Sequence, residues 1–152
     1  MRKKIDELKL DSYKTTIPLP IRKDELVELL GSNKIPYISP SEMQVNIKST
    51  VFSLGFEFSL AFCFENDTLL YIVMSPEVAL SDKAALARYK SIQSALEGCF
   101  GRPRNFLQHL TSRLDPYEQC ANWQLENATI EHRLFDRFGI EDTVKIDFGH
   151  SL

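Results

Sequence analysis

Alternation of apolar and polar residues is the strongest pattern in this chain, and it is clearest over residues 52–64. Every even position there is Phe or Leu, while the odd positions are Ser, Gly, Glu, Ala or Cys. Side chains of a strand point alternately to its two faces, so the run predicts a strand with one apolar and one more polar face. We expect the apolar face to receive a helix predicted over 82–99. A one-residue slip in register would exchange the two faces.

The flanking segments predict further strands and two helices. Residues 1–11 are charged and indicate an arm or a short helix, and prolines limit 13–21 to an edge strand. A short helix begins at Asp24 and ends at Gly31, and a strand begins near Val45. Asn66-Asp67 predicts a hairpin turn into an apolar strand over 69–74. A strand begins at Cys120, and residues 123–148 alternate as a three-stranded meander.

The second helix shows a clear apolar stripe. Ser81 or Asp82 is the expected cap of this helix, and glycines lie near its end. The apolar residues recur at spacings of four and three; they are Ala85, Tyr89, Ile92, Leu96 and Cys99. Cys99 is therefore expected in the core. The chain therefore predicts an α+β fold, an antiparallel sheet with two main helices packed on one face. We treat 1–152 as a single domain. Half-repeats at 20–76 and 81–149, each a helix followed by a meander, would make it a tandem duplication.

Composition narrows the function classes. The chain has 152 residues and a net charge of −3, which argues against a nucleic-acid binder. No apolar run is long enough to span a bilayer, and no apolar segment follows the basic start, so we expect neither a membrane span nor a secretory signal. Three cysteines without zinc spacing are typical of a reduced, cytoplasmic protein.

Charge is unevenly distributed along the chain. Residues 1–34, 35–82, 83–113 and 114–152 carry net charges of +2, −5, +5 and −5. One interpretation is that the charges of each segment simply keep its exposed face hydrated. The alternative interpretation is that an acidic surface of the sheet binds a partner with a basic surface. On the polar face of the sheet we select a candidate interaction surface; it comprises Glu57, Ser59, Cys63, Glu65, Glu131 and Arg133. A candidate basic cluster comprises Arg102, Arg104 and Arg113.

Searches for catalytic motifs give no match. The three histidines form no metalloprotease motif, there is no nucleophile elbow, and no glycine-rich phosphate loop opens a helix. We therefore expect no catalytic residue, no cofactor and no metal site. His132 is on the same strand face as Ile130 and Leu134 and is interpreted as a structural histidine at the sheet edge with a hydrogen-bonded partner. The alternative is a base beside Cys120 in a pocket between sheet and helix, which would indicate an enzyme or a small-ligand-binding protein.

One resemblance concerns topology. The helix with the sequence Glu-Leu-Val-Glu-Leu-Leu-Gly, followed after a loop by a hairpin, resembles the tandem helix–sheet unit of β-lactamase-inhibitory-protein-like folds. The outline over residues 20–148 is also similar to bacterial immunity proteins. The chain departs from the inhibitors in lacking a signal peptide and paired cysteines. The resemblance implies a protein-binding role and transfers no individual residue.

These observations favour a non-catalytic protein-binding protein. The most concrete form is an immunity or inhibitor protein that occludes a cognate bacterial toxin or enzyme. A secretion-chaperone-like binding protein is an alternative. The expected partner is a protein, and the sequence leaves a homodimer open.

Overall fold

The computed structural model describes residues 2–77, 81–104, 119–136 and 140–149. Within them lie two α-helices, a short 3-10 turn and nine strands. In chain order they are β1 (Glu7–Leu10), the 3-10 turn (Asp11–Tyr13), β2 (Thr15–Pro18), α1 (Lys23–Ser32), β3 (Ile38–Ser41), β4 (Gln44–Thr50), β5 (Glu57–Glu65), β6 (Thr68–Pro76), α2 (Asp82–Phe100), β7 (Gln119–Gln124), β8 (Thr129–Asp136) and β9 (Ile140–Asp147).

Seven strands form one antiparallel sheet in the order β3-β4-β5-β6-β9-β8-β7, and β1 pairs with β2 in a second, small sheet. The sheet is thus two meanders, each running from an outer edge towards the centre. Their last strands, β6 and β9, pair antiparallel over four positions, from Tyr71 opposite Asp147 to Met74 opposite Val144. The α+β prediction is confirmed, while the duplication of the two halves stays a prediction.

Only one face of the large sheet carries the core. Residues paired across the central strands, such as Phe62 with Ile72 and Ile72 with Ile146, are fully buried. Leu26 of α1 and Ile92 of α2 belong to the same core as these sheet residues. The helices and the small sheet therefore cover one face, and the other face has no described element over it.

The long strand is shorter than predicted. It begins at Glu57, because Phe52 and Ser53 both adopt left-handed backbone angles with φ of 56°. Asp11 accepts a hydrogen bond from the Ser53 amide at 2.9 Å, which holds this turn against the 3-10 segment. The predicted faces are correct, since Phe58 is fully buried and Glu57 is partly exposed.

Three further expectations were wrong. Residues 7–10 form β1 instead of an arm or helix, because Leu8 and Leu10 are buried opposite β2. The helix predicted to cover β5 packs chiefly against β9. Cys99 is exposed at the end of α2 and is not a core residue.

The helix ends follow local chemistry. Ser81 caps α2, its side chain accepting from the Ala84 amide at 3.1 Å. Gly101, with φ of 84°, ends this helix, since a positive φ favours glycine. Gly31 lies inside α1, which continues to Ser32 and closes with the Asn33 side chain donating to the Leu29 carbonyl.

Candidate binding face

One side of the sheet, from β4 to β7, has no described element over it, and we call this side the open face. Strand register aligns its side chains in rows that cross six strands. One complete row consists of Asn46, Ala61, Val73, Lys145, Glu131 and Asn122. The residues of this row are partly exposed, and they include small, apolar and charged side chains.

All six residues of the predicted interaction surface lie on the open face. Glu57, Ser59, Cys63 and Glu65 occupy β5, while Glu131 and Arg133 occupy β8. Two strands, β6 and β9, separate these groups, which at about 4.8 Å between strands places them roughly 14 Å apart. The predicted surface thus corresponds to two patches of one continuous face. The prediction did not include Val73 and Lys145, which lie between the two patches.

Ion pairs hold the charges on β8 and β9. Lys145 lies 3.3 Å from Asp147 and 4.6 Å from the centre of the Tyr71 ring, where the ring face attracts a cation. Arg133 Nε lies 3.7 Å from the carboxylate of Glu131. Exposed pairs of this kind stabilise the fold little, by about 0–1 kcal/mol. They leave the central part of the face close to neutral.

The carboxylates at the two ends of β5 differ from those pairs. Glu57 and Glu65 make no ion pair with any described residue. Glu57 shares a concavity with Glu77 and with one cation, Lys48. This part of the open face therefore carries a net negative charge, and a partner with basic groups would gain most there.

The Cys120 thiol on this face lies in non-activating surroundings. Burial, and then the nearby Glu131, raises the pKa of the Cys120 thiol above its usual value, although Arg133 and Asn122 act in the opposite direction. A hydrogen bond with Cys63 raises the pKa of the Tyr71 hydroxyl. A raised thiol pKa keeps Cys120 protonated near neutral pH, and the thiolate is the nucleophile. This environment does not support covalent catalysis at Cys120.

A shallow concavity of about 600 Å³ marks the β7–β8–β9 end of the face. Lys145 and Arg133 line it together with Glu131, Phe135 and Thr143. It is open to solvent, and its walls mix both charges with an aromatic ring. This shape suits a protruding side chain or loop of a partner.

No family model, curated protein or solved structure matches this chain.

The resemblance to inhibitor and immunity folds accordingly stays a prediction. Neither of the two described helices is long and apolar enough to cross a membrane.

His132 lies on the opposite, core side of the sheet from Cys120. Register pairs Cys120 with Arg133 and Ala121 with His132, so the two side chains point to different faces. The pocket geometry that would combine them as base and nucleophile is therefore absent.

His132 instead belongs to a buried polar cluster between α2 and the β8–β9 pair. Its Nδ1 lies 2.8 Å from Gln93 Oε1, and its ring stacks on Tyr89 with centroids 4.0 Å apart. Its Nε2 lies 3.7 Å from Asp142 Oδ2, and Asp142 Oδ1 accepts from Arg88 at 3.3 Å. Both Asp142 and His132 have fully buried side chains. The cluster connects α2 to the sheet. His132 has the hydrogen-bonding partner that was predicted, Gln93, but it lies on β8, one strand inside the sheet edge at β7.

The predicted basic cluster is only partly described. Arg102 and Arg104 follow α2 and line a groove beside β7, and Arg113 lies outside the described residues. The structure adds two cations from the other end of the chain, Arg2 and Lys3. Arg2 and Lys3 are about a hundred residues from Arg102 in the chain, and no local sequence pattern predicts that they lie close together in the fold.

Proposed function

We propose that this chain is a non-catalytic protein-binding protein whose open face receives a single protein partner. The observation that carries the proposal is the one-sided architecture, a six-strand surface of small and polar side chains with no described element over it. Antiparallel sheets commonly pack one face on the core and leave the other, more polar face accessible to water or to a partner. A flat face with a concavity at one end offers a partner both area and a site for a protruding group.

The size of the face is consistent with this role. Five intervals of about 4.8 Å and strands of roughly 20 Å give about 500 Å² of flat surface. A stable interface buries about 800 Å² on each partner. The open face would supply most of the contact, and the surrounding loops would supply the rest.

The electrostatics favour a partner with a basic surface. The carboxylates of Glu57 and Glu65 would steer such a partner and raise its association rate. The most concrete form of the proposal is a cytoplasmic immunity or inhibitor protein that covers the basic active-site cleft of a toxin or enzyme. Binding of this kind inhibits by occlusion and requires no chemistry from the chain itself.

Site-specific photo-crosslinking in the source cells tests the binding face. A photoreactive amino acid replaces Ser59 at the open face or, as the matched control, Ser94 on the exposed side of α2. We expect a discrete protein adduct from position 59 and none from position 94. Equal labelling at both positions, or no adduct at position 59, would contradict the proposal.

Charge reversal then tests the partner's chemistry. Glu57→Lys with Glu65→Lys should slow association with the crosslinked protein by roughly tenfold or more at low salt. The control, Glu7→Lys with Glu28→Lys, makes the same change in net charge at exposed positions outside the face.

The activity of the partner distinguishes the forms of the proposal. An inhibitor should abolish that activity in a one-to-one complex. A partner that stays active when bound would refute inhibition and favour the chaperone alternative.

A further inference from the structure

A second charged site lies at the β7 edge of the sheet, in a groove that we call the basic groove. Four cationic residues line it, two from the start of the chain and two from the segment after α2; they are Arg2, Lys3, Arg102 and Arg104. Its volume is about 490 Å³. Phe100, Trp123, Gln124 and Leu125 complete the lining.

Backbone hydrogen bonds fix the chain on both sides of the basic groove. The Glu126 amide donates to the Lys3 carbonyl at 2.8 Å, and Asn127 bonds to both the amide and the carbonyl of Ile5. These bonds hold the start of the chain beside the β7–β8 turn.

The opposite side is held in the same way. The Arg104 amide donates to the Asn122 carbonyl, and Trp123 Nε1 donates to the Gly101 carbonyl at 2.8 Å. The cations therefore project from anchored backbone on both sides, and their proximity is a property of the fold.

The charge of the basic groove is one-sided. None of its eight lining residues in the described part of the chain is acidic. Lys3 Nζ donates to the Cys99 carbonyl at the end of α2, whereas Arg2 and Arg104 make no ion pair with any described residue. Four cations in one concavity repel each other and create a positive potential that an anion would relieve.

The dimensions and donors indicate the kind of anion. A volume of about 490 Å³ falls in the range of small-molecule sites. Arginine forks match phosphate oxygens with two parallel hydrogen bonds, and bonds to ionised groups are stronger than neutral ones. An acidic peptide carries one charge per carboxylate along an extended backbone, so few of its charges would fit here. We propose that the basic groove binds a small ligand bearing two or more phosphate groups. This proposal is independent of the open face.

Titration calorimetry with defined anions tests it. The probes are inorganic tripolyphosphate, pyrophosphate, phosphate and sulfate, with polyglutamate as the peptide-like anion. We expect tripolyphosphate to bind at least about tenfold more tightly than sulfate, because more charge-assisted bonds form. It should also raise the melting temperature, by an amount that grows with the logarithm of its concentration divided by its dissociation constant.

Two variants locate the binding. Arg2→Gln with Arg104→Gln should weaken tripolyphosphate binding by roughly tenfold or more, since each removes an ionic hydrogen-bond donor. The control, Lys83→Gln with Lys90→Gln, removes the same charge from exposed positions on α2 and should change the affinity less than about twofold. Folding of both variants is checked by circular dichroism.

Three results would overturn the proposal. They are the absence of binding at millimolar tripolyphosphate, equal losses in the groove and control variants, and tighter binding of polyglutamate than of tripolyphosphate. The last result would indicate an acidic peptide site instead.

Discussion

Asp142→Ala is the sharpest test of how α2 is attached to the sheet. Asp142 is fully buried on β9, where its two carboxylate oxygens face Arg88 at 3.3 Å and His132 at 3.7 Å. Arg88 retains 15% exposure and also donates to the Glu77 carbonyl. Removing the carboxylate leaves the guanidinium largely buried without its anionic partner.

The expected cost follows from that geometry. Breaking a buried ion pair by deleting one partner costs about 3–5 kcal/mol, and the partial exposure of Arg88 places this case near the lower end. We expect the free energy of unfolding to fall by about 3 kcal/mol. For a chain of this length that lowers the melting temperature by roughly 6–12 °C.

Urea denaturation, monitored by circular dichroism, measures the change. Glu141→Ala, at the exposed neighbouring position, is the matched control and should stay within about 0.5 kcal/mol of the parent protein. A double-mutant cycle with Arg88→Met should give a coupling energy of about 1 kcal/mol or more. A loss below about 1 kcal/mol for Asp142→Ala, or no coupling to Arg88, would refute a buried stabilising contact.

Three other predictions concern the core, the thiols and a helix cap. Phe62→Ala should cost about 3–5 kcal/mol in urea denaturation, because the ring is fully buried at the centre of β5; a loss below 1 kcal/mol would contradict the register. Iodoacetamide should label the exposed Cys99 before Cys120, and labelling of Cys120 should accelerate as pH rises towards its raised pKa, as followed by mass spectrometry. Ser81→Ala should cost about 1 kcal/mol by thermal melting, whereas Ser81→Asp should retain the cap.

Period-two alternation predicted the sheet well because burial of one face enforces it. In β5 the large apolar residues Phe58, Leu60, Phe62 and Phe64 lie on the core side, and in β8 Ile130 and Leu134 do, whereas Ala61 and Phe135 lie on the open face. The same pattern failed at Phe52 and Leu54, which pack partly against the core from a turn. Apolar side chains that reach the core from a turn and from a strand look alike in sequence. Only the contact with Asp11, some forty residues earlier, distinguishes them.

The candidate sites show the same limit. The alternation of residues predicted correctly that Glu131 and Arg133 lie on the open face, because the face on which a strand residue lies depends on its immediate neighbours in the chain. The partners of His132, and the approach of Arg2 to Arg104, depend on contacts between residues far apart in sequence. The pattern of a single sequence predicts which face of a strand is buried and where turns occur. It does not predict which segments far apart in the chain come into contact.

The pairing of β6 with β9 has a consequence for assembly. It joins the two meanders through four positions, and each meander contributes its own last strand in an antiparallel arrangement. Nothing in that pairing requires both strands to belong to the same molecule. At high protein concentration, partial unfolding would let β6 of one molecule pair with β9 of another and the reverse, which forms a strand-exchanged dimer with native contacts. Such a dimer would keep the open face and the core intact while doubling the number of binding faces.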